Sequence, residues 1–307
     1  MMVQCSKCSR DAVEFIRYNG SHLCSAHFQE YVEKRVKREM REQVDLDKSK
    51  DIAVAVSGGK DSSVALTLLH DIVGKRRDIR LTCITIDEGI ACYRPKTLES
   101  VKRLCSTLGV EHIVTRFSDV VGMNMDDVST RLGHRTPCAY CGVFRRRCLN
   151  QTAREIGADV LATGHNLDDT AQAILMNFAR GDVERLARLG PHTKVQPGLV
   201  PRIMPLRQIP EKEVYLYALL RGIDFADPVC PYWRAALRNE YRDIIDGMES
   251  RSPGTKYSIL ASYEAIRPLL SQRYPSSTLR RCECGEPAPS GQCMACIMID
   301  ELRGRKG

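Results

Sequence analysis

Metal ligands are the first chemistry that this sequence offers, because its 14 cysteines fall into clusters with short internal spacings. The chain starts with MMVQCSKCSRD, which lacks the apolar stretch of a signal peptide. We therefore expect a reducing compartment, where such spacings bind metal more often than they form disulfides. Two clusters each offer four ligands, enough to close a structural zinc site. They are Cys5, Cys8, Cys24 and His27 near the beginning, and Cys282, Cys284, Cys293 and Cys296 near the end.

A third set of cysteines lies in the middle of the chain. Cys138 and Cys141 form a C-x-x-C pair, and Cys230 follows far downstream between two prolines. The pair alone fits a redox dithiol, half a zinc site or iron–sulfur ligation. We expect it on a turn that leads into a helix, beside the basic runs His134-Arg135 and Arg145-Arg146-Arg147. Positive charge and a helix N-terminus lower the pKa of a thiol, so the sequence predicts thiolates here.

A phosphate-binding loop is indicated by Ser57-Gly-Gly-Lys-Asp-Ser62, which directly follows an apolar run. Gly58 and Gly59 let backbone N–H groups approach a phosphate closely, and the start of the next helix adds unpaired donors. The loop is not a Walker A motif, which has a glycine four residues earlier. A carboxylate beside phosphates, here Asp61, implies Mg²⁺.

The elements that position these residues alternate between strand and helix, which predicts an α/β fold with a doubly wound parallel sheet. The first segment with helical character, residues 30–50, is highly charged on mixed-sign exposed faces and is interpreted as a connector. Apolar runs predict strands at 51–56, 80–86, 111–115 and 159–162, and the proline-rich stretch 191–210 predicts a loop with a short strand. Helical patterns cover 62–73, 96–108, 126–132, 143–156, 168–178, 211–221, 235–248 and 258–270.

Five segments follow from this organisation. They are an N-terminal zinc-binding module at 1–29, a charged helical connector at 30–50, a nucleotide-binding domain at 51–235, a helical segment at 236–276 and a C-terminal zinc-binding module at 277–307.

The runs SGGKDS and Leu161-Ala-Thr-Gly-His-Asn-Leu-Asp-Asp169, each at the end of a strand, resemble the two signatures of the PP-loop ATP pyrophosphatase superfamily. The resemblance implies that ATP is cleaved between its α- and β-phosphates and that a carbonyl-type oxygen is adenylated. It implies phosphate contacts by Lys60 and Ser62, and adenine binding near Ile86. The whole set implied for ATP is Ala55, Val56, Ser57, Gly58, Gly59, Lys60, Asp61, Ser62, Ile86, Arg145 and Gly164.

Within that superfamily, the cysteine trio and the two terminal modules resemble the tRNA 2-thiouridine synthetases of the archaeal and eukaryotic cytosolic type. The resemblance implies a [4Fe–4S] cluster held by Cys138, Cys141 and Cys230, with the fourth iron open to sulfur. From thiol chemistry alone, a persulfide/disulfide cycle between Cys230 and one cysteine of the pair is an equal alternative. The C-x-C spacing of Cys282 and Cys284 departs from the family's usual C-x-x-C, so the ligand geometry there stays open.

The implied reaction is attack of a uridine C2 oxygen on ATP–Mg²⁺, followed by replacement of that oxygen with sulfur at tRNA position 34 or 54. The implied catalytic set is Cys138, Cys141, Cys230, Asp61 and Asp169. Asp169 would orient the metal or take a proton. Arg145 stands where the family usually has Lys, and a guanidinium stabilises phosphate but does not act as a base.

The implied partners are tRNA and a sulfur donor, which is a ubiquitin-like thiocarboxylate protein, a persulfide or sulfide; homodimers are common in the family. The formal net charge of +8 suits a polyanion. No apolar run approaches the length of a membrane span, so we expect a cytoplasmic protein that binds no membrane. Two alternatives are a tRNA 2-thiocytidine synthetase, whose family lacks the zinc modules, and a non-catalytic zinc-ribbon RNA-binding protein.

Overall fold

The computed structural model describes residues 3–131, 135–194, 196–233, 238–275 and 277–304. It begins with an antiparallel hairpin, β1 (Glu14–Ile16) and β2 (Ser21–Leu23), and a second hairpin, β8 (Arg280–Arg281) and β9 (Pro287–Ala288), lies near the other end. Between them is one parallel sheet. Its strands are β3 (Asp51–Ala55), β4 (Arg80–Asp87), β5 (Glu111–Arg116), β6 (Val160–Thr163) and β7 (Arg202–Ile203).

The sheet is doubly wound, as predicted, with the strand order β5-β4-β3-β6-β7. The chain moves outward from β3 through β4 to β5 and then returns to place β6 on the other side of β3. The gap between the carboxyl ends of β3 and β6 is therefore the switch point, where open α/β sheets bind their ligands. The two signature runs begin at these two strand ends.

Helices cover both faces of the sheet. Their bounds are α1 (Ser25–Gln43), α2 (Lys60–Val73), α3 (Arg94–Leu108), α4 (Phe117–Val121), α5 (Met125–Thr130), α6 (Pro137–Glu155), α7 (Leu167–Ala179), α8 (Val183–Ala187), α9 (Glu211–Arg221), α10 (Arg238–Arg251), α11 (Thr255–Arg273) and α12 (Met294–Leu302).

The central strand β3 shows how the two cores are separated. Ile52 and Val54 point into a core shared with α1, α2, α3 and α9, whereas Ala53 points into a core shared with α4, α5, α6 and α12. All three residues are buried, which explains why the strand reads as a continuous apolar run rather than as an alternation. Cys83 on β4 and Cys105 on α3 are buried in the first core.

The charged helix near the N-terminus is not the exposed connector that its composition indicated. Helix α1 starts at Ser25, inside the first metal cluster, and buries a stripe of apolar side chains against the first core. These side chains are Phe28, Val32, Val36 and Met40. Their spacing of four residues is helical, but the many charges between them obscured it in the sequence.

Other elements follow the sequence prediction closely and differ at their ends. Helix α9 has the predicted bounds, and the short strand β7 lies in the proline-rich segment. Helix α6 starts six residues earlier than predicted, so the C-x-x-C pair lies in the helix and not on the turn before it. Three predicted positions fall outside the described residues: the end of the helix at 132, the start of the helix at 235 and the domain boundary at 235/236. Among the described helices, none combines the length and apolarity needed to cross a lipid bilayer.

Candidate active site and metal centres

The phosphate loop joins β3 to α2 at the switch point. Gly58 has φ +90°, and a Cβ built on it would lie 2.6 Å from the Thr97 carbonyl oxygen, so this position requires glycine on both counts. Gly59 is the N-cap of α2 and carries no side-chain cap. The first N–H groups of α2 are consequently free for an anion at the helix N-terminus.

Gly164 allows the loop after β6 to approach the phosphate loop. A Cβ built on Gly164 would lie 2.7 Å from both the Cα and the N of Ser62. No side chain fits in that space, so the two signature runs touch backbone to backbone.

Asn166 connects the two carboxylates of the site. Its Nδ2 donates to Asp61 Oδ1 at 3.1 Å, and its backbone N donates to Asp169 Oδ2 at 3.2 Å. Asp169 N in turn donates to Asn166 Oδ1, which completes a capping box at the start of α7. Burial raises the pKa of Asp61, and the nearby Asp169 adds to this. Two carboxylates held this close are a fitting oxygen pair for Mg²⁺.

A cavity of about 350 Å³ opens between the two loops. Most of the residues implied for ATP line it: Ala55, Val56, Ser57, Gly59, Asp61, Ser62, Ile86, Arg145 and Gly164. Asp169 and His165 line it too, and His165 Nδ1 lies 2.9 Å from Thr163 Oγ1. Burial lowers the pKa of His165, which favours the neutral imidazole.

Two of the residues implied for phosphate binding are engaged elsewhere in this structure. Lys60 Nζ lies 2.5 Å from Glu211 Oε1 and 3.1 Å from Asp61 Oδ2, and its side chain is not part of the cavity wall. Ser62 lines the cavity, but its Oγ donates to the Gly59 carbonyl at 3.0 Å and accepts from Ser57 N at 3.1 Å. Ser62 therefore holds the shape of the loop.

The cavity wall also includes six residues to which the sequence gave no role: Ile84, Glu88, Arg94, Leu149, Thr163 and Arg238. Glu88 and Arg94 follow the carboxyl end of β4, where ligand-binding residues are expected, but nothing in the sequence showed that they pair. Arg238, the first residue of α10, reaches Asp169 Oδ1 at 3.1 Å from far along the chain. Asn166, inside the second signature, was quoted without a role, although Asn three residues before Asp is a helix-start signal.

The three mid-chain cysteines gather beside this cavity. Cys141 Sγ accepts from Arg145 Nη2 at 3.4 Å, and Cys138 Sγ lies 3.5 Å from the Tyr232 carbonyl oxygen. Cys230 lies close enough for its charge to raise the pKa of both other thiols. The three sulfur atoms are nevertheless not all within 4.8 Å of one another.

The expected lowering of the thiol pKa at the C-x-x-C pair is wrong. Burial raises the pKa of Cys138 and of Cys141, and Arg145 offsets only part of this. The sequence showed the basic residues but not the depth of the pair beneath α5 and the segment around Tyr232. Such thiols need a metal to become thiolates at neutral pH.

The N-terminal metal group takes Cys5 and Cys8 from the segment before β1, Cys24 from the residue after β2, and His27 from the first turn of α1. His27 Nδ1 lies 3.3 Å from Cys5 Sγ and 3.5 Å from Cys24 Sγ, and Cys8 Sγ lies 3.8 Å from Cys24 Sγ. Burial raises the pKa of Cys5, but hydrogen bonds from the backbone of Cys24 and Lys7 lower it to about 6. This group therefore offers a thiolate before any metal arrives.

The C-terminal metal group is equally compact despite its C-x-C spacing. Its four sulfur atoms all lie within 4.8 Å of one another, with Cys282 and Cys296 3.8 Å apart and Cys284 and Cys293 3.5 Å apart. The burial of Cys282 raises the pKa of its thiol, yet backbone hydrogen bonds from Cys284 and Cys293 bring it to about 7. The two terminal groups thus form four-ligand metal sites, as the sequence predicted.

Comparisons with known proteins agree with this geometry. A family model described as a PP-loop domain matches residues 29–245, and one described as the 2-thiouridine synthetase TtuA N-terminal LIM domain matches residues 4–29. The tRNA 2-thiolation protein NcsA of Haloferax volcanii is 39% identical over 98% of this chain and 99% of its own. The tRNA-5-methyluridine(54) 2-sulfurtransferase of Pyrococcus horikoshii is 34% identical over 96% of this chain and 93% of its own.

One solved structure is similar over most of the chain. It is the U34-tRNA thiolase NcsA from Methanococcus maripaludis with its [4Fe–4S] cluster, at a TM-score of 0.79 and 35% identity. The alignment covers 87% of this chain and 89% of the other.

Proposed function

The chain belongs to the PP-loop family of tRNA 2-thiolation proteins, and from this premise we propose that it is an ATP-dependent tRNA uridine 2-sulfurtransferase. It adenylates the C2 oxygen of a uridine and replaces that oxygen with sulfur. ATP is converted to AMP and pyrophosphate in the process.

The observation that carries this proposal is the position of Arg145. Its side chain lines the nucleotide cavity and at the same time donates to Cys141 Sγ at 3.4 Å. A nucleotide-binding loop and a sulfur centre that share one residue suit a reaction that first activates an oxygen and then substitutes sulfur for it. An RNA-binding scaffold has no need for this arrangement.

In the first half of the reaction, the uridine C2 oxygen attacks the α-phosphorus of ATP, and the bond from that phosphorus to the bridging oxygen of pyrophosphate breaks. Asp61 and Asp169 would hold Mg²⁺, which would neutralise phosphate charge, and the first N–H groups of α2 bind phosphate oxygens. Arg145 and Arg238 add fixed positive charge at the cavity wall. His165, being neutral, contributes a hydrogen bond and no charge.

In the second half, a sulfur nucleophile adds to C2 of the adenylated uridine, and AMP leaves with the former C2 oxygen. The donor set fits the [4Fe–4S] cluster that the related structure holds, since it consists of three soft thiolates spaced more widely than those of either terminal group. Cys138, Cys141 and Cys230 would hold it. When bound, such a cluster supplies an iron without a protein ligand, which is open to sulfur.

Zinc is the metal we propose for both terminal groups. Three thiolates with one imidazole, and four thiolates, are the ligand sets of structural zinc, and all four positions are filled by protein. The groups therefore stabilise their modules and leave the chemistry to the central site. The sulfur donor is sulfide, a persulfide or a ubiquitin-like thiocarboxylate protein. The protein works in the cytoplasm. A measurement of its mass in solution tests whether it is a homodimer.

The test is a reaction of anaerobically purified protein with ATP, Mg²⁺, sulfide and unmodified tRNA. We expect one pyrophosphate for each 2-thiouridine formed. Mass spectrometry of tRNA fragments then assigns the 2-thiouridine to position 34 or 54. A 2-thiocytidine product would favour the related cytidine enzymes instead. An RNA-binding scaffold would release no pyrophosphate under these conditions.

A pair of variants separates the two kinds of metal site. Cys230→Ser should lose iron, colour and thiolation and keep about two zinc ions per chain. Cys24→Ser should lose about one zinc ion and keep the colour. A colourless wild type with an inactive Cys230→Ser variant would favour the persulfide/disulfide cycle over the cluster.

A further inference from the structure

Glu88 is a fully buried carboxylate that lies between two arginines just after β4. Its side chain has no exposed surface. One oxygen, Oε2, is paired with Arg94, and the other, Oε1, lies 2.7 Å from Arg145 Nη2 and 2.9 Å from Arg145 Nε. Burial alone would raise the pKa of Glu88, but Arg145 and Arg94 hold it below its usual range. The carboxylate is therefore charged and fully engaged.

The two arginines lead to different parts of the site. Arg94 Nη1 donates to the carbonyl oxygen of Ser57, the first residue of the phosphate loop, at 2.8 Å. Arg145 Nη2 donates to Cys141 Sγ at 3.4 Å. An unbroken series of contacts thus connects the phosphate loop to the sulfur centre, and Glu88 is its middle member.

Arg145 needs such a holder because it is accessible and could adopt other conformations. Its side chain is 43% exposed, whereas that of Arg94 is 3% exposed. Glu88 Oε1 contacts both Nε and Nη2 of Arg145, which fixes the plane of the guanidinium. Among the described residues Nη1 has no hydrogen-bond partner, so it is available to a nucleotide phosphate.

We propose that Glu88 is a positioning residue that holds Arg145 between the nucleotide and Cys141. Binding of a nucleotide in the cavity then changes the reduction potential of the cluster at the sulfur centre. The proposal rests on the proposed function, because it requires that a nucleotide and a cluster occupy these two places. A phosphate that attracts the guanidinium weakens its hydrogen bond to Cys141. Hydrogen bonds to ligand sulfurs raise the reduction potential of an iron–sulfur cluster, so ATP should lower that potential.

The experiment is a redox titration of the holoprotein, with and without α,β-methylene ATP and without tRNA. In the wild type we expect the nucleotide to shift the potential downwards. In Glu88→Asp, which keeps the charge but is too short to reach both arginines, we expect a lower starting potential and loss of the nucleotide shift. Single-turnover thiolation should fall by about tenfold or more, as for other residues that orient ligands from behind.

Glu213→Asp is the matched control, since Glu213 on α9 also forms a buried ion pair with an arginine, Arg35 on α1, at 3.0 Å. It should lower the melting temperature while leaving the potential and the nucleotide shift unchanged. Glu88→Gln serves as a second variant, because it keeps the size of the side chain and removes its charge. Melting temperature, zinc content and iron content establish that each variant is folded and loaded.

The proposal is overturned if folded Glu88→Asp keeps the wild-type potential and nucleotide shift, or if Glu213→Asp loses them equally. It is overturned as well if the wild type shows no nucleotide shift. The proposed function fails separately, if wild-type protein with a normal shift forms no thionucleoside on tRNA.

Discussion

Single residues of the site differ in how readily they can be found from sequence. Asp61 and Asp169 are marked by the two signature runs, whereas Asn166, which hydrogen-bonds both, has no evident role until the loops are in place. The signature fixed the residue types, but the partner of each side chain depends on how β3 and β6 come together. Glu88 shows the same limit, because its pairing with Arg145 joins two elements that are 57 residues apart.

Replacement of Asp61 by Asn should abolish pyrophosphate release without unfolding the protein. The amide keeps the shape but is a poor ligand for Mg²⁺. Because burial raises the pKa of Asp61, its charge destabilises the fold at neutral pH, and this cost vanishes as the pH falls through the raised pKa. Melting temperatures at pH 7 should thus be equal or higher in the variant, and the difference should shrink as the solution is acidified.

Asp168→Asn provides the contrast within the same signature. Asp168 contacts Lys256 of α11, which Asp246 also contacts, and it accepts a hydrogen bond from Glu211 N, so its replacement by Asn should destabilise the protein by about 1–3 kcal/mol. A loss of stability in Asp61→Asn comparable to that of Asp168→Asn would show that Asp61 has a structural role.

Gly164→Ala should weaken ATP binding through the backbone. The added methyl group would stand 2.7 Å from the N and Cα of Ser62, so the two loops must separate and the cavity must change shape. Gly247→Ala in α10 is the control. The nearest atom to a Cβ built there is Arg251 Nη1, at 4.0 Å, and alanine is favoured in a helix. Calorimetric titration with α,β-methylene ATP should show weaker binding for Gly164→Ala alone; equal affinities would contradict the backbone contact.

At the scale of elements, helix α6 has two functional faces. Cys138, Cys141 and Arg145 follow one another at spacings of three and four residues and so share a face towards the nucleotide cavity. The predicted start at Val143 was wrong because the residues before it lack an apolar period. Pro137 at the first helical position was the available signal.

Arg147 lies on another face of α6 and contacts the C-terminal metal group. Its Nη1 lies 3.9 Å from Cys296 Sγ, and its Nε is buried without a hydrogen-bond partner among the described residues. A site of four thiolates around zinc is doubly negative, so a nearby guanidinium stabilises it. In the sequence, Arg147 stands in one basic run with Arg145 and Arg146, and nothing there distinguishes it from them.

Arg147→Gln should therefore release the zinc of the C-terminal group to a chelator about tenfold more readily. The N-terminal zinc should be unaffected, which makes a two-phase release curve the informative measurement. Affinity for tRNA should keep its dependence on salt, because Arg147 is committed to sulfur. If the salt dependence of tRNA affinity changes and zinc release does not, Arg147 contacts RNA and not the metal group.

At the scale of the whole molecule, the parts that sequence predicted are those with local signals. Buried parallel strands, glycine turns and cysteine spacings each have a pattern that is only a few residues long. The doubly wound sheet and the terminal metal groups were therefore predicted correctly. Contacts between distant segments were not predictable. Arg238 on α10 and the buried stripe of α1 depend on packing that no local pattern encodes.

Two arginines on elements near the cavity have no acidic partner among the described residues. Arg146 lies on α6 and Arg202 on β7, and neither forms an ion pair with a described residue. Burial and neighbouring arginines lower the pKa of both guanidinium groups. An anion bound beside them would offset this repulsion between positive charges. Glu286, the carboxylate that acts on Arg202, is itself paired with Arg154.

We expect these two arginines to bind the backbone of tRNA beside the target uridine. Each lost phosphate contact reduces the slope of log K against log salt by about 0.7 to 0.9, so Arg146→Gln with Arg202→Gln should reduce it by about 1.4 to 1.8. Arg77→Gln is the matched control, because Arg77 is exposed in the turn before β4, at the amino ends of the strands and away from the cavity. Filter binding of unmodified tRNA from low to moderate salt measures the slope. If the double variant and Arg77→Gln change the slope equally, the arginines act only through net charge; if the double variant alone changes it, the RNA backbone lies along α6 and β7.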